Sequence, residues 1–251
     1  MSNIRNIVLT GASSGIGRAL AEIYSAPGVI LGLLGRVDSE LEKTAVNCRT
    51  KGAEAIKASI DITDHLKMKE YLECFDVRYP IDMLIANAGI DFVLKADYQL
   101  ESMDTARKLM EVNFFGVLNT INPVIESMKK RRKGHIVILS SVAAFRGLPV
   151  CPVYCASKSA VKVYGEALRC ILSPYNIKVS IVCPGFVETR MSDEFPYEKP
   201  FMISADKAAL IIKKGLISEK AYITFSLFWK VWSYLVRYLP YRLSDKIVNL
   251  K

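Results

Sequence analysis

The chain has 251 residues, of which 51% are hydrophobic and 24% are charged, a composition that suits one large α/β domain and excludes an intrinsically disordered chain. Its six cysteines form no CxxC pair and its only histidines are His65 and His135, so we expect no zinc or other metal site and predict reduced thiols in a cytoplasmic protein. The formal net charge of +9 favours an anionic partner, which could be a nucleic acid, a phosphorylated ligand or a membrane surface. The first residues run straight into an apolar strand and predict no secretion signal.

A glycine-rich motif follows the first predicted strand. Residues 6–9 are an apolar run, residues 10–17 read TGASSGIG, and the helical pattern RALAEIYSA comes next. Small residues let backbone N–H groups approach an anion at the positive end of the helix dipole. The motif therefore predicts a cradle for a pyrophosphate, although a single glycine-rich turn could also be only structural.

The second predicted strand, at 29–34, ends in Gly35 and Arg36. In a dinucleotide-binding unit, an acidic residue at this point binds the ribose hydroxyls, whereas an arginine suits a 2′-phosphate. Arg36 therefore favours NADP(H) over NAD(H), with an ordinary surface arginine as the alternative. Asp38, two residues further on, is expected to be the N-cap of the next helix.

Polar side chains follow the ends of the later strands. Three further elements are predicted: a strand at 54–59, a helix at 64–79 and a strand at 81–86. The alternation of strands and helices predicts parallel βαβ units, and thus an α/β fold with a doubly wound, Rossmann-like parallel sheet. Asp61, Asn87 and Ser141 each follow a strand, at the edge of the sheet where ligands bind.

A long helix is predicted at 100–133, and it carries Asn113 in its interior. An asparagine there is mildly unfavourable and is usually explained by a side-chain hydrogen bond or by exposure. The basic run KKRRK at 129–133 could bind nucleic acid. However, cations in the last helical turn, with Gly134 as the C-cap, favour a structural role, so we expect no nucleic-acid partner. His135 opens the fifth strand and is expected to be structural.

Tyr154 and Lys158 are four residues apart, which places them on one face of a helix, and Ser141 lies upstream in a loop that follows a strand. A free phenol has a pKa near 10, so a fixed ammonium nearby is a direct way to turn tyrosine into a general acid and base. The alternative is an ordinary amphipathic helix.

In their order and spacing, these motifs resemble those of the short-chain dehydrogenase/reductase family, in its single-domain form. The resemblance covers about residues 6–222. It rests on TGASSGIG at 10–17, Asp61, NAG at 87–89, Asn113, Ser140 and Ser141, YCASK at 154–158, and PG at 184–185 followed by Thr189.

The resemblance implies an NADP(H)-dependent oxidoreductase that interconverts a ketone or aldehyde and an alcohol by hydride transfer. Tyr154 would be the general acid and base, and Ser141 would bind the substrate carbonyl together with Tyr154. Lys158 would hold the nicotinamide ribose and lower the pKa of Tyr154, while Asn113 would order a water molecule in a proton relay.

The resemblance also implies a set of cofactor-binding residues. These are Gly11, Ser14, Ile16 and Gly17 at the pyrophosphate, Arg36 at the 2′-phosphate, Asp61 at the adenine, Asn87 beneath the cofactor, Tyr154 and Lys158 at the nicotinamide riboside, and Val187 and Thr189 at the nicotinamide amide. NADP(H) is preferred and NAD(H) is the alternative. Homodimers or homotetramers are common in the family, through the helices that begin near residue 100 and at Tyr154.

The sequence departs from the family pattern in two places. Ala86 and Asn87 replace the usual pair of asparagines, and residues 221–251 replace a short final strand with a glycine pair. Residues 185–204 are expected to form an apolar substrate lid, with a plain connecting loop as the alternative. A lipophilic small-molecule substrate, such as a sterol, a retinoid or an acyl chain, fits that composition, with a sugar or a biosynthetic intermediate as the alternative.

The C-terminal residues predict a strand at 221–225 and an apolar helix at 227–239, so we divide the chain into a Rossmann-fold domain, 1–225, and a helical tail, 226–251. The helix is too short to span a bilayer, but its aromatic and basic residues suit a membrane surface. A dimer contact or a wall of the substrate pocket would use the same apolar face. Two other functions therefore stand beside the enzyme: a catalytically idle dinucleotide sensor, and a membrane-surface protein of the same fold.

Overall fold

The computed structural model describes residues 4–94, 99–193, 195, 198–225, 228, 231, 239–240 and 242–243. The strands are β1 (Asn6–Thr10), β2 (Ile30–Gly35), β3 (Glu54–Ser59), β4 (Met83–Ala86), β5 (Gly134–Leu139), β6 (Ile177–Cys183), β7 (Val187–Glu188), β8 (Ile203–Ser204) and β9 (Tyr222–Thr224). The α-helices are α1 (Gly15–Tyr24), α2 (Asp38–Thr50), α3 (His65–Arg78), α4 (Met103–Met110), α5 (Gly116–Arg131), α6 (Pro152–Leu172), α7 (Arg190–Asp193) and α8 (Ala205–Ile217).

Seven of these strands form one parallel sheet in the order β3-β2-β1-β4-β5-β6-β9. Strands β2 and β3 follow β1 towards one edge of the sheet, and strands β4, β5, β6 and β9 are added towards the other edge. The direction of strand order therefore reverses between β1 and β4, which leaves a crevice at the carboxyl ends of these two strands. The predicted doubly wound α/β fold is confirmed. The predicted strand at 54–59 coincides with β3, and the predicted final strand at 221–225 contains β9.

Apolar side chains fill both faces of the sheet. Successive residues of a strand point to opposite faces, so Leu9 packs towards α1, α2 and α8, while its neighbour Val8 packs towards α3, α5 and α6. On the first face Leu20 and Ile212 are fully buried, and on the second Leu72 is fully buried. This double burial explains why the strands read as continuous apolar runs rather than as an alternating pattern.

The predicted helix at 100–133 is interrupted in the structure. The α4 helix begins after Ser102, whose side chain caps it by accepting a hydrogen bond of 3.2 Å from the N–H of Thr105. A π-helical segment, Glu111–Phe115, then separates α4 from α5 and holds Asn113. The extra residue in a π turn rotates the following side chains, and such segments are frequent at functional sites.

The prediction that Gly134 is the C-cap of this helix is wrong. The left-handed conformation after α5 is adopted by Arg132, with φ 51°, and Gly134 is already the first residue of β5. A side chain at Gly134 would clash with the thioether of Met128. Packing against Met128, rather than helix capping, therefore explains this glycine.

Cations of the 129–133 run have acidic partners within the fold. Arg131 binds Asp76 through two hydrogen bonds of 2.8 Å, and Lys133 lies 2.6 Å from Asp82. The predicted structural role of the run is thereby supported. His135 is also structural: it is buried in β5, with Nε2 2.9 Å from the hydroxyl of Ser180.

The predicted tail helix at 227–239 falls almost entirely outside the described residues, as does most of the predicted tail, 226–251. Among the described residues, no helix combines the length and the apolar character that crossing a membrane requires.

Candidate active site

A cavity of about 1210 Å³ opens at the carboxyl ends of the central strands. The predicted site residues that line it are Gly11, Ser14, Ile16, Gly17, Arg36, Asp61, Asn87, Ser141, Tyr154, Lys158, Val187 and Thr189. Only Asn113, of the residues predicted for catalysis or cofactor binding, is absent from this lining. The tertiary structure thus brings together residues that the sequence separates by more than a hundred positions.

The glycine motif forms a tight turn between β1 and α1. Gly11 and Gly15 have φ values of +69° and +50°, a region that glycine enters without strain. A side chain at Gly17 would overlap the backbone of Gly11, so only glycine allows this close approach. The side-chain amide of Asn87 donates to the carbonyl oxygens of Thr10 and Gly11, at 3.0 and 3.2 Å, and thereby ties the end of β4 to the turn.

The N-terminus of α1 faces this cavity through Gly15, Ile16 and Gly17. Its N-cap residue, Ser14, makes no side-chain capping hydrogen bond. The N–H groups of a first helical turn lack partners within the helix, and here no capping side chain satisfies them. An uncapped helix N-terminus behind a close-packed glycine turn fits the phosphate groups of a dinucleotide.

Arg36 and Asp61 lie at the far end of the cavity, after β2 and β3. The guanidinium of Arg36 is 3.9 Å from the Asp61 carboxylate, and the other carboxylate oxygen of Asp61 accepts hydrogen bonds from the N–H and the hydroxyl of Thr63. The prediction that Asp38 caps α2 is wrong, since the N-cap is Val37 and the Asp38 carboxylate pairs with Lys57 at 2.7 Å.

Tyr154 and Lys158 lie on the first two turns of α6, as predicted from their spacing. The ammonium of Lys158 is 5.9 Å from the centroid of the Tyr154 ring and donates a hydrogen bond of 3.1 Å to the carbonyl of Leu139, the last residue of β5. Ser140 donates a hydrogen bond of 2.8 Å to the carbonyl of Lys158. These contacts hold α6 against the end of β5, which places Ser141 beside Tyr154.

Burial controls the electrostatics of this pair. Lys158 is buried, and desolvation lowers its pKa to about 8, while the Asp91 carboxylate acts in the opposite direction. Desolvation also raises the pKa of Tyr154 above its usual value, and a hydrogen bond with Ser141 offsets only part of that effect. Burial therefore has the largest effect on the pKa of Tyr154 in this structure, and the expectation that Lys158 lowers this pKa stays a prediction.

Asn113 lies behind the cavity and is fully buried. Its side-chain N–H groups donate to the carbonyl of Ile90, at 2.8 Å, and to the hydroxyl of Ser157, at 3.0 Å, while its side-chain oxygen accepts from the N–H of Ile90. The hydroxyl of Ser157 donates in turn to the carbonyl of Tyr154. Asn113 therefore joins the loop after β4 to the first turn of α6, and hydrogen bonding rather than exposure explains an asparagine at this position.

The sequence pattern that defines the short chain dehydrogenase family matches residues 5–199, a stretch that contains every predicted site residue. The chain belongs to the short-chain dehydrogenase/reductase family. It is 33% identical over 194 residues to dehydrogenase/reductase SDR family member 7B of Mus musculus, a match that covers 74% of this chain and 58% of the mouse protein. The chain thus spans less than two thirds of that relative.

Solved structures of this family share the fold. One is a short chain dehydrogenase/reductase from Burkholderia phymatum in complex with NAD, with a TM-score of 0.84, 23% identity and coverage of 94% of both chains. Another is a short-chain dehydrogenase from Sphingobium yanoikuyae in complex with NADPH, with a TM-score of 0.80, 23% identity and coverage of 98% of this chain and 96% of that one.

The short-chain dehydrogenase/reductase motifs do not point to two other features of the cavity. Asp91 lines it, two residues beyond the NAG motif, and acts on the pKa of both Tyr154 and Lys158. Cys151 also lines it, with its sulfur 3.7 Å from that of Cys155. An acidic residue two positions after NAG was visible in the sequence, whereas the contact between the thiols depends on how the chain enters α6.

Described residues between Gly185 and Pro200 line one side of the cavity. The short strands β7 and β8 pair in parallel, and the side chain of Ser192 donates to the carbonyl of Thr189 at 2.8 Å. The apolar residues that this segment and the opposite wall contribute are Val93, Leu148, Val150, Phe186, Met191, Phe195 and Pro200. The cavity lining also includes the charged residues Asp91, Arg146, Arg190 and Glu198, and a role of the 185–204 segment as a substrate lid stays a prediction.

Proposed function

We propose that this chain is an NADP(H)-dependent oxidoreductase that interconverts a ketone or aldehyde and an alcohol. The observation that carries the proposal is that Ser141, Tyr154 and Lys158 meet in the same cavity as the uncapped N-terminus of α1. Membership of the short-chain dehydrogenase/reductase family and the NAD and NADPH complexes of structures with the same fold support it. A bound nicotinamide supplies the hydride, and the protein supplies position and charge.

The preference for NADP(H) rests on Arg36. Its guanidinium lines the cavity beyond the glycine turn, where the adenosine half of a dinucleotide would lie when the pyrophosphate meets α1. A guanidinium forms charge-assisted hydrogen bonds with a phosphate. The carboxylate of Asp61, which accepts a hydrogen bond from Thr63, lies 3.9 Å from the Arg36 guanidinium. The Arg36 side chain is 58% exposed and has room to turn towards a 2′-phosphate.

The proton chemistry follows from the partners of Ser141 and Tyr154. The oxygen of Ser141 accepts a hydrogen bond of 3.1 Å from the N–H of Ala143, and the Ser141 hydroxyl also hydrogen-bonds with Tyr154, so that both hydroxyl groups can approach one substrate carbonyl. The raised pKa keeps Tyr154 protonated at neutral pH, so that it can donate a proton to the developing alkoxide. This arrangement favours carbonyl reduction, and alcohol oxidation would need a higher pH.

The walls of the cavity favour a lipophilic substrate. The cavity lining includes Leu148, Val150, Phe186 and Met191, which offer apolar surface and no side-chain N–H or O–H donor, beside the four charged residues named above. We propose a carbonyl on an apolar body, small enough to share the cavity with the cofactor.

One experiment distinguishes the enzyme hypothesis from the hypothesis of a catalytically idle dinucleotide sensor. The full chain is incubated with NADPH and a panel of carbonyl compounds, and loss of NADPH absorbance is followed beside the Tyr154→Phe variant. An enzyme consumes NADPH with at least one compound and the variant does not. A chain that binds NADPH without consuming it, across apolar ketones and aldehydes, would instead be a sensor.

We propose in addition that the lid side of the molecule attaches to anionic membranes. Phe201 and Met202 are exposed, the ring of Phe201 lies 4.7 Å from that of Phe228, and Lys207 lines the same small pocket as Phe201. Exposed aromatic groups beside a cation suit the headgroup region of a bilayer. The full chain should float with anionic vesicles and the Phe201→Ser, Phe228→Ser double variant should not, while Leu210→Ser, which removes an exposed leucine of α8, is the matched control.

Self-association is proposed through the outer faces of the π-helical segment and α6. Phe115, Val163 and Ile171 are exposed there, and exposed apolar side chains on neighbouring helices suit a contact between identical subunits. Sedimentation of the wild type and of Val163→Glu tests this, since a charge in the interface should shift a dimer or tetramer towards the monomer.

A further inference from the structure

Two thiols lie in contact beside the proposed general acid. Cys151 and Cys155 are separated by one turn at the start of α6, with Tyr154 between them in the sequence. Their sulfur atoms are 3.7 Å apart, and both side chains are buried, at 4% and 3% exposed. Cys151 also lines the large cavity, so small molecules that enter the cavity can reach it.

The backbone holds this pair in place. The N–H of Leu148 donates a hydrogen bond of 3.3 Å to the sulfur of Cys155, and the N–H of Cys155 donates to the carbonyl of Cys151 at 3.0 Å. Ala143, Leu148, Val150 and Tyr154 pack around the two thiols as a small apolar cluster. The two sulfur atoms are therefore kept in contact, with no covalent bond between them.

The two thiols also differ in acidity. A hydrogen bond from Cys151, with a further one from the N–H of Leu148, lowers the pKa of Cys155 against the effect of burial. The same hydrogen bond and burial raise the pKa of Cys151. When the pair loses one proton, Cys155 therefore becomes the thiolate and Cys151 keeps its proton. This thiolate is the nucleophile of the pair.

We propose that Cys151 and Cys155 are a modification site for peroxides, which convert the pair to a reversible disulfide that stops turnover. The disulfide itself does not depend on the proposed function, whereas its effect on turnover rests on it. The pair would thus report oxidative conditions directly at the site.

The reaction balances with hydrogen peroxide as the oxidant. Peroxide that enters the cavity at Cys151 is attacked by the Cys155 thiolate, whose sulfur lies 3.7 Å from that of Cys151; an S–O bond forms, the O–O bond breaks and hydroxide leaves. The Cys151 thiol then attacks the sulfur of the Cys155 sulfenic acid, the S–S bond forms, the S–O bond breaks, and the thiol proton leaves with the hydroxyl group as water. Two thiols are oxidised by two electrons and the peroxide is reduced to water.

A disulfide between Cys151 and Cys155 would displace groups that line the active site. The sulfur atoms, now 3.7 Å apart, must approach to about 2.0 Å, and Cys155 loses its role as acceptor for Leu148. Tyr154 lies between the two cysteines in the first turn of α6, and Leu148 lines the cavity. A displacement of about 1 Å at a reacting group can lower a rate roughly a hundredfold, so we expect turnover to fall by about tenfold to a hundredfold.

The test uses the full chain with the exposed Cys74 and Cys170 changed to serine, which prevents links between molecules. The protein is treated with hydrogen peroxide, its free thiols are alkylated, and it is digested with trypsin. Cleavage after Arg146 and Lys158 releases GLPVCPVYCASK, a peptide that contains both thiols and no other cysteine. We expect this peptide to lose the mass of two hydrogens and both alkylation tags, turnover to fall in parallel, and a dithiol reductant to restore both.

Cys155→Ser is the matched variant, because serine can still accept the Leu148 N–H but cannot form the disulfide. Treatment with hydrogen peroxide should not change the turnover of this variant relative to the untreated variant. The proposal is overturned if the peptide stays doubly alkylated at peroxide levels that oxidise Cys74 or Cys170 in the wild type, or if the disulfide forms and turnover does not change. If no carbonyl compound is reduced at all, the peptide mass alone decides the disulfide, and the failure belongs to the proposed function.

Discussion

The ammonium of Lys158 donates a hydrogen bond of 3.1 Å to the carbonyl of Leu139 at the end of β5, and it does so from a buried position. Burial lowers its pKa to about 8, below the value near 10.4 of a free lysine. The folded chain therefore binds this proton more weakly than the unfolded chain does, and the charge destabilises the fold at neutral pH. The position of Lys158 is costly for folding and suits a functional role.

We therefore expect Lys158→Met to lose turnover while it gains stability. Each pKa unit corresponds to about 1.4 kcal/mol, so removal of the charge should contribute about 3 kcal/mol, and loss of the hydrogen bond should subtract about 1 kcal/mol. Denaturant unfolding at pH 7 measures the net gain in the free energy of unfolding. Between about pH 8 and pH 10 this free energy should rise with pH for the wild type, whereas for the variant it should not change. Lys162→Met is the matched control, since it breaks the 2.7 Å pair with Glu166 on the same helix and should destabilise the protein. A less stable Lys158→Met would contradict the argument.

The proposed general acid is tested by Tyr154→Phe. Removal of the hydroxyl should leave NADPH binding nearly unchanged and lower turnover by roughly two to four orders of magnitude, the range that general acid–base catalysis supplies. Stopped-flow turnover and fluorescence titration of NADPH measure the two effects. Tyr164→Phe is the control, because it removes a phenol from the same helix whose hydroxyl donates to Asn122 instead. Retention of a tenth of the wild-type turnover in Tyr154→Phe would rule out the assignment.

The proposed cofactor preference is tested by Arg36→Ala. Charge-assisted hydrogen bonds to a phosphate are worth about 1.5 to 3 kcal/mol, so the ratio of kcat/KM for NADPH over NADH should fall roughly tenfold to a hundredfold. Lys57→Ala is the control, because this nearby cation pairs with Asp38 and does not line the cavity. A wild type that prefers NADH, or an Arg36→Ala ratio equal to that of Lys57→Ala, contradicts the assignment.

His135 should make stability depend on pH. Burial, with a smaller effect of Lys178, lowers its pKa to about 4, so between about pH 6.5 and pH 4 the unfolded chain takes up a proton that the folded chain does not. The free energy of unfolding should therefore fall by about 3 kcal/mol across this window as the pH drops. His135→Gln, which can still bond to Ser180, should remove that part of the pH dependence. Equal slopes for the two proteins in urea unfolding would refute this prediction.

The ion pair between Arg131 and Asp76 should stabilise the packing of α5 against α3. Burial alone would raise the pKa of Asp76, but hydrogen bonds from Arg131 and the N–H of Ile81 outweigh it, and the pKa lies below its usual value. Arg131→Met leaves this carboxylate buried and unpaired and should cost about 3 to 5 kcal/mol. Lys129→Met breaks the pair with the exposed Glu126 and a cation–π contact of 5.2 Å with Tyr175, and should cost about 1 kcal/mol. Similar thermal shifts for both variants would show that burial of the pair is unimportant.

Local sequence patterns predicted most of the scaffold. Apolar runs of four to six residues marked the parallel strands, and the TGASSGIG turn and the spacing of Tyr154 and Lys158 pointed to the site. These features depend on residues close together in the chain, where period, helical spacing and glycine backbone freedom are enough to decide the structure. The same local rules failed at Asp38 and Gly134, where a cross-element ion pair and packing against Met128 took precedence over capping.

By itself the sequence determined the order of strands and helices, the glycine turn and the identity of the polar residues at the strand ends. Only the tertiary structure decided that Asn113 occupies a π segment and binds Ile90 and Ser157, that burial raises the pKa of Tyr154, and that two thiols are in contact beside it. The reason is physical: desolvation and hydrogen bonds between distant segments depend on which surfaces pack together. The period and spacing of neighbouring residues carry little information about that packing.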